Sequence, residues 1–245
     1  MGWAGERRRA RALLAPLVLL SLTAPARAED ESAAKPPPRT VLFGSLDLGS
    51  SGFLNAGFKR SLTGSLDESG PILMGIMGAG GSPESGGSLA AGGLRFRPTL
   101  QANALLGYQW LLGPVTLAGL VGPEFDFERA SDGIGERSRS RFGLRGHVEL
   151  WAHPTPETLV TATAIAGSAR GHVWARASAG YAFWDKVFIG PEASLYRTSD
   201  YDEWRLGAHV TGLTWKGWTW RLSGGVMRND DRTGGYFALT AYIRK

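Results

Sequence analysis

From Thr40 to the C-terminus, apolar residues recur at every second position, the period of a strand with two unlike faces, and little 3.6-residue periodicity is present. Over residues 139–153, Phe142, Leu144, Val148 and Leu150 alternate with Arg141, Gly143, Arg145, His147 and Glu149, so one face is apolar and the other charged. Residues 98–111 repeat the pattern, with Leu100, Ala102, Ala104, Leu106 and Tyr108 against Gln101, Asn103, Gly107 and Gln109. So do residues 171–185, where Val173, Ala175, Ala177, Ala179 and Tyr181 oppose His172, Arg176, Ser178 and Gly180. The last segment places Phe237, Leu239, Ala241 and Ile243 on one face. Read along its whole length, the chain predicts about twelve strands, near 41–49, 52–61, 71–79, 98–111, 114–128, 139–153, 157–168, 171–185, 186–198, 203–215, 217–228 and 235–244.

Alternation fits a soluble sandwich, whose apolar faces meet in a core, as well as a barrel whose apolar faces meet lipid. Two further patterns select the barrel. Connections are short at Gly113-Pro114, Pro154-Thr155-Pro156, Asp185-Lys186 and Lys216-Gly217, and longer over 128–139, 167–171, 198–203 and 229–235. Tight periplasmic turns alternating with longer extracellular loops have this signature. Beside the short turns stand Trp110, Trp151, Trp184, Trp215 and Trp218, all on one side if both termini are periplasmic. Indole prefers the headgroup level, so these five predict an interfacial girdle. The expected fold is an all-β, antiparallel up-and-down transmembrane β-barrel of about 12 strands, with ten or fourteen left open by the ease of miscounting one hairpin. Closure pairs every strand edge, as a structure surrounded by lipid must.

The first 28 residues follow another pattern. A basic start (Arg7, Arg8, Arg9, Arg11), an apolar run from Leu13 to Leu22 and the exit Ala26-Arg27-Ala28 predict a secretory signal peptide cleaved between Ala28 and Glu29. The run is shorter than the ~20 residues a spanning helix needs. Residues 29–39, with Glu29, Asp30, Glu31 and Lys35-Pro36-Pro37-Pro38-Arg39, read as a disordered, solvated tether, and 40–245 as the barrel domain. The expected location is the outer membrane of a Gram-negative bacterium, with lipid as the surrounding partner. Export also changes the charge picture. The formal +5 of the chain comes from 27 basic and 22 acidic residues, and removing five arginines and one glutamate with the signal leaves 22 against 21. So balanced a body gives no footprint for nucleic acid. The absence of cysteine excludes thiolate catalysis, Cys-ligated zinc and a lipoprotein anchor. Glycine, 35 of 245 residues, is about twice its usual ~7% share but follows no G-X-Y period, which excludes collagen.

If the apolar faces meet lipid, the opposite faces line a lumen that carries Asp47, Lys59, Glu124, Asp126, Arg141, Arg145, Glu149, Arg176, Glu192, Arg205 and Arg221. Opposite signs fall on neighbouring strands: Glu124 and Asp126 can meet Arg141 and Arg145, and Arg176, Glu192 and Arg205 follow on three successive strands. Charges in a partly dehydrated lumen need partners, so this set reads as a structural ion ladder that fills a narrow barrel. A polar track for a sugar polymer is the alternative, with Trp174, Tyr196, Tyr236 and Tyr242 as stacking faces. Of the four histidines, His153 belongs to a turn, His172 and His209 lie on lumenal faces among serines and threonines, and His147 shares a face with Glu149. No G-x-S-x-G, H-E-x-x-H or G-x-x-x-x-G-K-[ST] occurs, so no catalytic residue, cofactor or metal site is assigned. The acidic stretches Ser199-Asp200-Tyr201-Asp202-Glu203 and Asn229-Asp230-Asp231-Arg232 lack the spacing of a twelve-position calcium loop and read as solvated charge. Residues 80–93 are low in complexity and read as an extracellular loop.

The segment Leu42-Phe43-Gly44-Ser45-Leu46-Asp47, followed by Gly57-Phe58-Lys59-Arg60 and by Leu66-Asp67-Glu68-Ser69-Gly70, resembles the opening of the BcsS family of bacterial cellulose biosynthesis proteins. The resemblance is specific over about residues 41 to 80 and general, in layout and glycine-aromatic texture, beyond them. It implies an accessory protein of cellulose production at the outer membrane, with the synthesis or secretion machinery and glucan as candidate partners. It brings no catalytic motif; Asp47, Lys59 and Arg60 are the matching polar positions. The ending Tyr242-Ile243-Arg244-Lys245 departs from outer-membrane barrels in general, which finish on an aromatic residue. The expected function is therefore a non-enzymatic accessory barrel in cellulose biosynthesis or export. Charges paired across the lumen would narrow it, which favours a structural partner over a pore. A general small porin or ligand-binding barrel is one alternative. A lipid-modifying barrel enzyme is another, and it would need Ser, His and Glu gathered near the lipid-facing rim, a group the sequence does not contain.

Overall fold

The computed structural model of the chain describes residues 37–83, 96–131, 136–184, 186–230 and 232–245. The signal peptide, the cleavage position at Ala28 and Glu29, residues 29–36 of the tether and residues 84–93 of the glycine-rich stretch lie outside the described residues.

Twelve strands follow in chain order: β1 (Thr40–Leu48), β2 (Gly52–Ser61), β3 (Gly70–Pro83), β4 (Phe96–Leu112), β5 (Val115–Ser131), β6 (Glu136–Ala152), β7 (Thr158–Gly167), β8 (His172–Trp184), β9 (Val187–Arg197), β10 (Asp202–Trp215), β11 (Trp218–Asn229) and β12 (Thr233–Arg244). Each pairs antiparallel with its chain neighbours, and β1 pairs with β12 from Val41↔Arg244 to Leu48↔Phe237, which closes the barrel. None of these strands is left with an edge to solvate. Thr40 and Arg244 mark the terminal end of the barrel; the β1–β2 turn marks the distal end.

Every strand divides its residues by the pleat. On β6 the outward Phe142 and Leu144 are 80% and 64% exposed, whereas on β5 the inward Asp126 is 3% exposed. Apolar outside and polar inside inverts the order of a soluble protein and matches a lipid surround. On β10 the alternation is kept in phase by a bulge at Gly212, between Thr211 and Leu213. Gly212 has φ of +99°, and a Cβ there would stand 1.8 Å from the carbonyl oxygen of Lys186. Glycine is the residue that this close approach and positive φ require.

Two expectations change. Four of the distal connections are short rather than long: β1–β2, β7–β8, β9–β10 and β11–β12 are joined by only three or four residues each. The strands run further instead, β5 and β6 pairing out to Ser131↔Glu136, because backbone pairing continues beyond the apolar band with polar residues on both faces. Gly80–Pro83, read as loop, likewise extends β3. At the terminal end the β2–β3 connection, residues 62–69, folds over the barrel end, where Leu66 N–H donates to the Pro38 carbonyl at 2.9 Å. Arg39 N–H donates to the Lys245 carbonyl at 2.8 Å, which ties the backbone before β1 to the end of β12 while Pro37 and Arg39 stay exposed.

That connection caps an apolar cluster inside the barrel: Leu66, Ile72, Met74, Leu105, Ala118 and Leu120, with Val41, Phe43 and Ile76 packed against it. One sector of the lumen, along β3 to β5 near the terminal end, is thus a hydrophobic core rather than a polar wall.

Candidate functional site

The lumen is one cavity of about 1910 Å³, lined at the terminal end by Val41, Gln109 and Thr219 and at the distal end by Ser51, Arg97 and Thr198. All eleven charged positions read from the alternation fall on inward faces, and the charges assemble into four groups.

The first is built by β5, whose inward row Glu124, Asp126 and Glu128 stands opposite the β7–β8 turn. Arg170 on that turn reaches Asp126 at 2.8 Å and Glu128 at 2.6 Å, while Ala169 N–H donates to Glu124 at 2.7 Å. Burial works against the Arg170 charge, but the two carboxylates outweigh it and raise its pKa. Arg97 meets Glu128 at 2.7 Å, and Arg141 stands 3.4 Å from Glu128 and 3.8 Å from Asp126. Gly167 makes room for this packing: a Cβ there would lie 2.3 Å from the His172 ring and 2.5 Å from a Glu124 carboxylate oxygen. Arg145, expected to pair with an acid, donates instead to Asn103 at 3.4 Å.

The second group lies near the terminal end, where Lys59 on β2 meets Glu149 on β6 at 2.7 Å. These strands are four apart, so the bridge is a chord across the lumen. His147 adds to it, its Nε2 3.0 Å from Glu149. The third lies at the distal end. Arg205 on β10 grips both carboxylate oxygens of Asp47 on β1, at 2.7 and 2.9 Å, and reaches Glu203 at 2.8 Å. Tyr201 O–H and Ser50 O–H also donate to Glu203, at 2.6 and 2.5 Å. Burial, followed by that bond to Glu203, raises the pKa of the Tyr201 hydroxyl.

In the fourth group Glu192 on β9 bonds Arg221 on β11 and accepts Ser223 O–H at 3.1 Å; Arg221 also donates to Ser178 at 2.9 Å. Arg176 and Arg205, expected to flank Glu192 as partners, do not bond it. Arg176 makes no ion pair among the described residues and stacks over Trp174, its guanidinium carbon 5.5 Å from the ring centre.

Of the five tryptophans expected in one ring, Trp110, Trp184 and Trp215 are exposed on the outside at the terminal end, and Trp218 pairs with Trp215 there. Trp151 does not join them. It follows Arg145, His147 and Glu149 on the inward face of β6, lines the cavity and donates to His153 at 3.3 Å. Its place beside a turn left its face unread.

Sequence reasoning missed Arg97, Glu128, Arg170 and Glu203. Glu128 continues the every-second-residue series of Glu124 and Asp126, a signal that was available. Arg170 had none, because its role depends on a turn folding inward. The acidic stretches read as solvated charge are partly internal: Glu203 belongs to the distal network, and Asn229 accepts Arg232 N–H at 2.9 Å. Asp231 and Asp185 lie outside the described residues.

The family model described as "Cellulose biosynthesis protein BcsS" matches residues 41–245. Among solved structures, the chain is similar to the KdgM porin, 10% identical, over 83% of this chain and 98% of that one, with a TM-score of 0.50. LpxR from Salmonella typhimurium is 13% identical over 83% and 99% of the two chains, TM-score 0.52. The β-domain of the Bordetella autotransporter BrkA is 15% identical over 85% and 98%, TM-score 0.51. At these identities the likeness is one of fold, that of outer-membrane β-barrels. No curated protein matches the chain.

Proposed function

The chain belongs to the BcsS family of cellulose biosynthesis proteins, and from that premise we propose that it is a non-enzymatic accessory barrel of the outer membrane whose lumen passes or holds a glucan strand. The observation that carries this reading is the single cavity lined by residues of both ends, inside a barrel whose exterior is apolar. Charges paired across the lumen were expected to close it. Most of the pairs instead join strands no more than three apart, leaving the Lys59–Glu149 chord, four strands across, and the terminal-end connection as constrictions.

The termini face the periplasm in this account, after removal of residues 1–28, and Trp110, Trp184, Trp215 and Trp218 sit at the headgroup level. Contact with the cellulose synthesis or secretion machinery falls to the periplasmic end. The fold also houses LpxR, so enzyme chemistry is the reading to weigh against this one. Acyl or glycosyl transfer by a hydroxyl nucleophile needs a base on that hydroxyl and a group orienting the base. Here His147 bonds Glu149, which is taken by Lys59, and His209 holds Thr211 at 2.8 Å while its other nitrogen meets the Ala179 carbonyl at 3.3 Å. Neither set combines hydroxyl, base and carboxylate.

The test is the cellulose output of a clean deletion strain against one complemented with the intact gene, with membrane fractionation alongside. Loss of cellulose on deletion, with the protein in the outer membrane, is the expected result. Unchanged cellulose contradicts the assignment to cellulose production and favours a general porin.

A further inference from the structure

We propose that the lumen wall built by β7, β8 and β9 is a subsite for an oxyanion carried on a saccharide, with the Arg176 guanidinium as its anchor. This deepens the glucan-passage reading and rests on it. Arg141, Arg170, Arg205 and Arg221, all interior, each hold a carboxylate. Arg145 is buried and donates to Asn103. Arg176 has neither kind of partner among the described residues, yet it lines the cavity. Its register neighbours are Thr163 on β7 and Ser194 on β9, small hydroxyl side chains that offer donors beside the half-buried guanidinium. Trp174 holds the cation over its ring face, the guanidinium carbon 5.5 Å from the ring centre, and a guanidinium presents a forked set of N–H donors suited to an oxyanion. Glu192 and Asp47 act on this guanidinium only from beyond ion-pair distance, so its N–H donors are left for a ligand oxyanion to take.

A second observation points to the same wall. His172 is 7% exposed and its Nδ1 has no partner, while its ring stacks on Tyr196 at 6.1 Å. Tyr196 stands 6.0 Å from Tyr201 at the distal mouth and is the register neighbour of Trp174. A saccharide entering from the distal end therefore meets aromatic side chains at Tyr201, Tyr196 and Trp174 before reaching Arg176, with the buried imidazole of His172 packed behind Tyr196.

The experiment uses the full mature chain refolded into planar bilayers, with Arg176→Gln, Arg176→Lys and Trp174→Leu variants checked for heat-modifiable gel mobility. Current is titrated with a short acidic oligosaccharide, a neutral cello-oligosaccharide of the same length, and inorganic phosphate. The native barrel is expected to be blocked by the acidic sugar about tenfold more tightly than by the neutral one, as one added charge-assisted contact gives. Arg176→Gln should abolish that preference, Arg176→Lys should keep part of it, and Trp174→Leu should weaken it. Phosphate competing as strongly as the acidic sugar would support the anchor and identify the free ion as its source. Equal block by acidic and neutral sugars, or a preference unchanged in folded Arg176→Gln, overturns the subsite while leaving the passage reading in place. A bilayer that carries no current overturns both.

Discussion

Glu192 and Arg221 form the most deeply buried ion pair of the described lumen, with side chains 3% and 7% exposed. Replacing Arg221 by Met leaves Glu192 charged and dry, with only Ser223 at 3.1 Å and Tyr236 at 3.5 Å to satisfy it, and removes the donor to Ser178. Breaking a buried pair from one side costs about 3–5 kcal/mol, and so should Arg221→Met. Glu192→Met should cost a similar amount, since it strands the guanidinium. Replacing both by Met removes two desolvation penalties together with their attraction, so the double variant should fall within about 2 kcal/mol of the native chain. The coupling in the cycle is then roughly 4 kcal/mol or more, far above the ~0.5 kcal/mol scatter of independent sites. Reversible urea unfolding in lipid vesicles, followed by tryptophan fluorescence for all four chains, measures it. Additive singles, or singles costing about 1 kcal/mol or less, would refute the idea that the lumen charges are mutually dependent.

Other consequences are simpler to read. Leu144→Arg and Ala177→Arg place a charge on the outward face and should each cost about 2–4 kcal/mol and block assembly, seen as loss of heat-modifiable mobility; normal folding of both would count against a lipid-facing surface. Gly212→Ala imposes a Cβ at φ +99° against the Lys186 carbonyl and should cost about 1–3 kcal/mol in the same unfolding assay, whereas no change would mean the bulge relaxes freely. Arg145→Glu sets a further acid beside the Glu124 row and should lower stability measurably; unchanged gel mobility and urea midpoint would show that this cation is dispensable.

The architecture was legible because a barrel in lipid repeats one demand, apolar out and polar in, at every second residue of every strand. That single period located the twelve strands and put Asp47, Lys59, Glu192 and Arg221 on the inner faces. It could not choose partners. Glu192 bonds Arg221 two strands away, and Lys59 reaches four strands across to Glu149, because tilt and stagger set which inward residues share a height. Neighbouring strands in sequence guided Asp126 to Arg141 but not these longer pairs. Nor does the period speak to turns, which is why the inward tuck of Arg170 and the cap formed by residues 62–69 were unread. Segment 71–79 did carry a signal: Ile72, Leu73, Met74, Ile76 and Met77 are apolar on both faces, which marks a strand buried on its inner side as well as its outer one.

The central claim is that the lumen serves cellulose production as a passage, and the cysteine-free chain allows a direct test. Thr240 on β12 lines the cavity, so Thr240→Cys offers a single thiol inside it. Cells carrying this variant are treated with a bulky, membrane-impermeant maleimide and their cellulose output is measured. The account predicts that labelling drops cellulose toward the level of the deletion strain, while the unlabelled variant and the treated native chain keep theirs. Complete labelling of the introduced thiol with undiminished cellulose would contradict it.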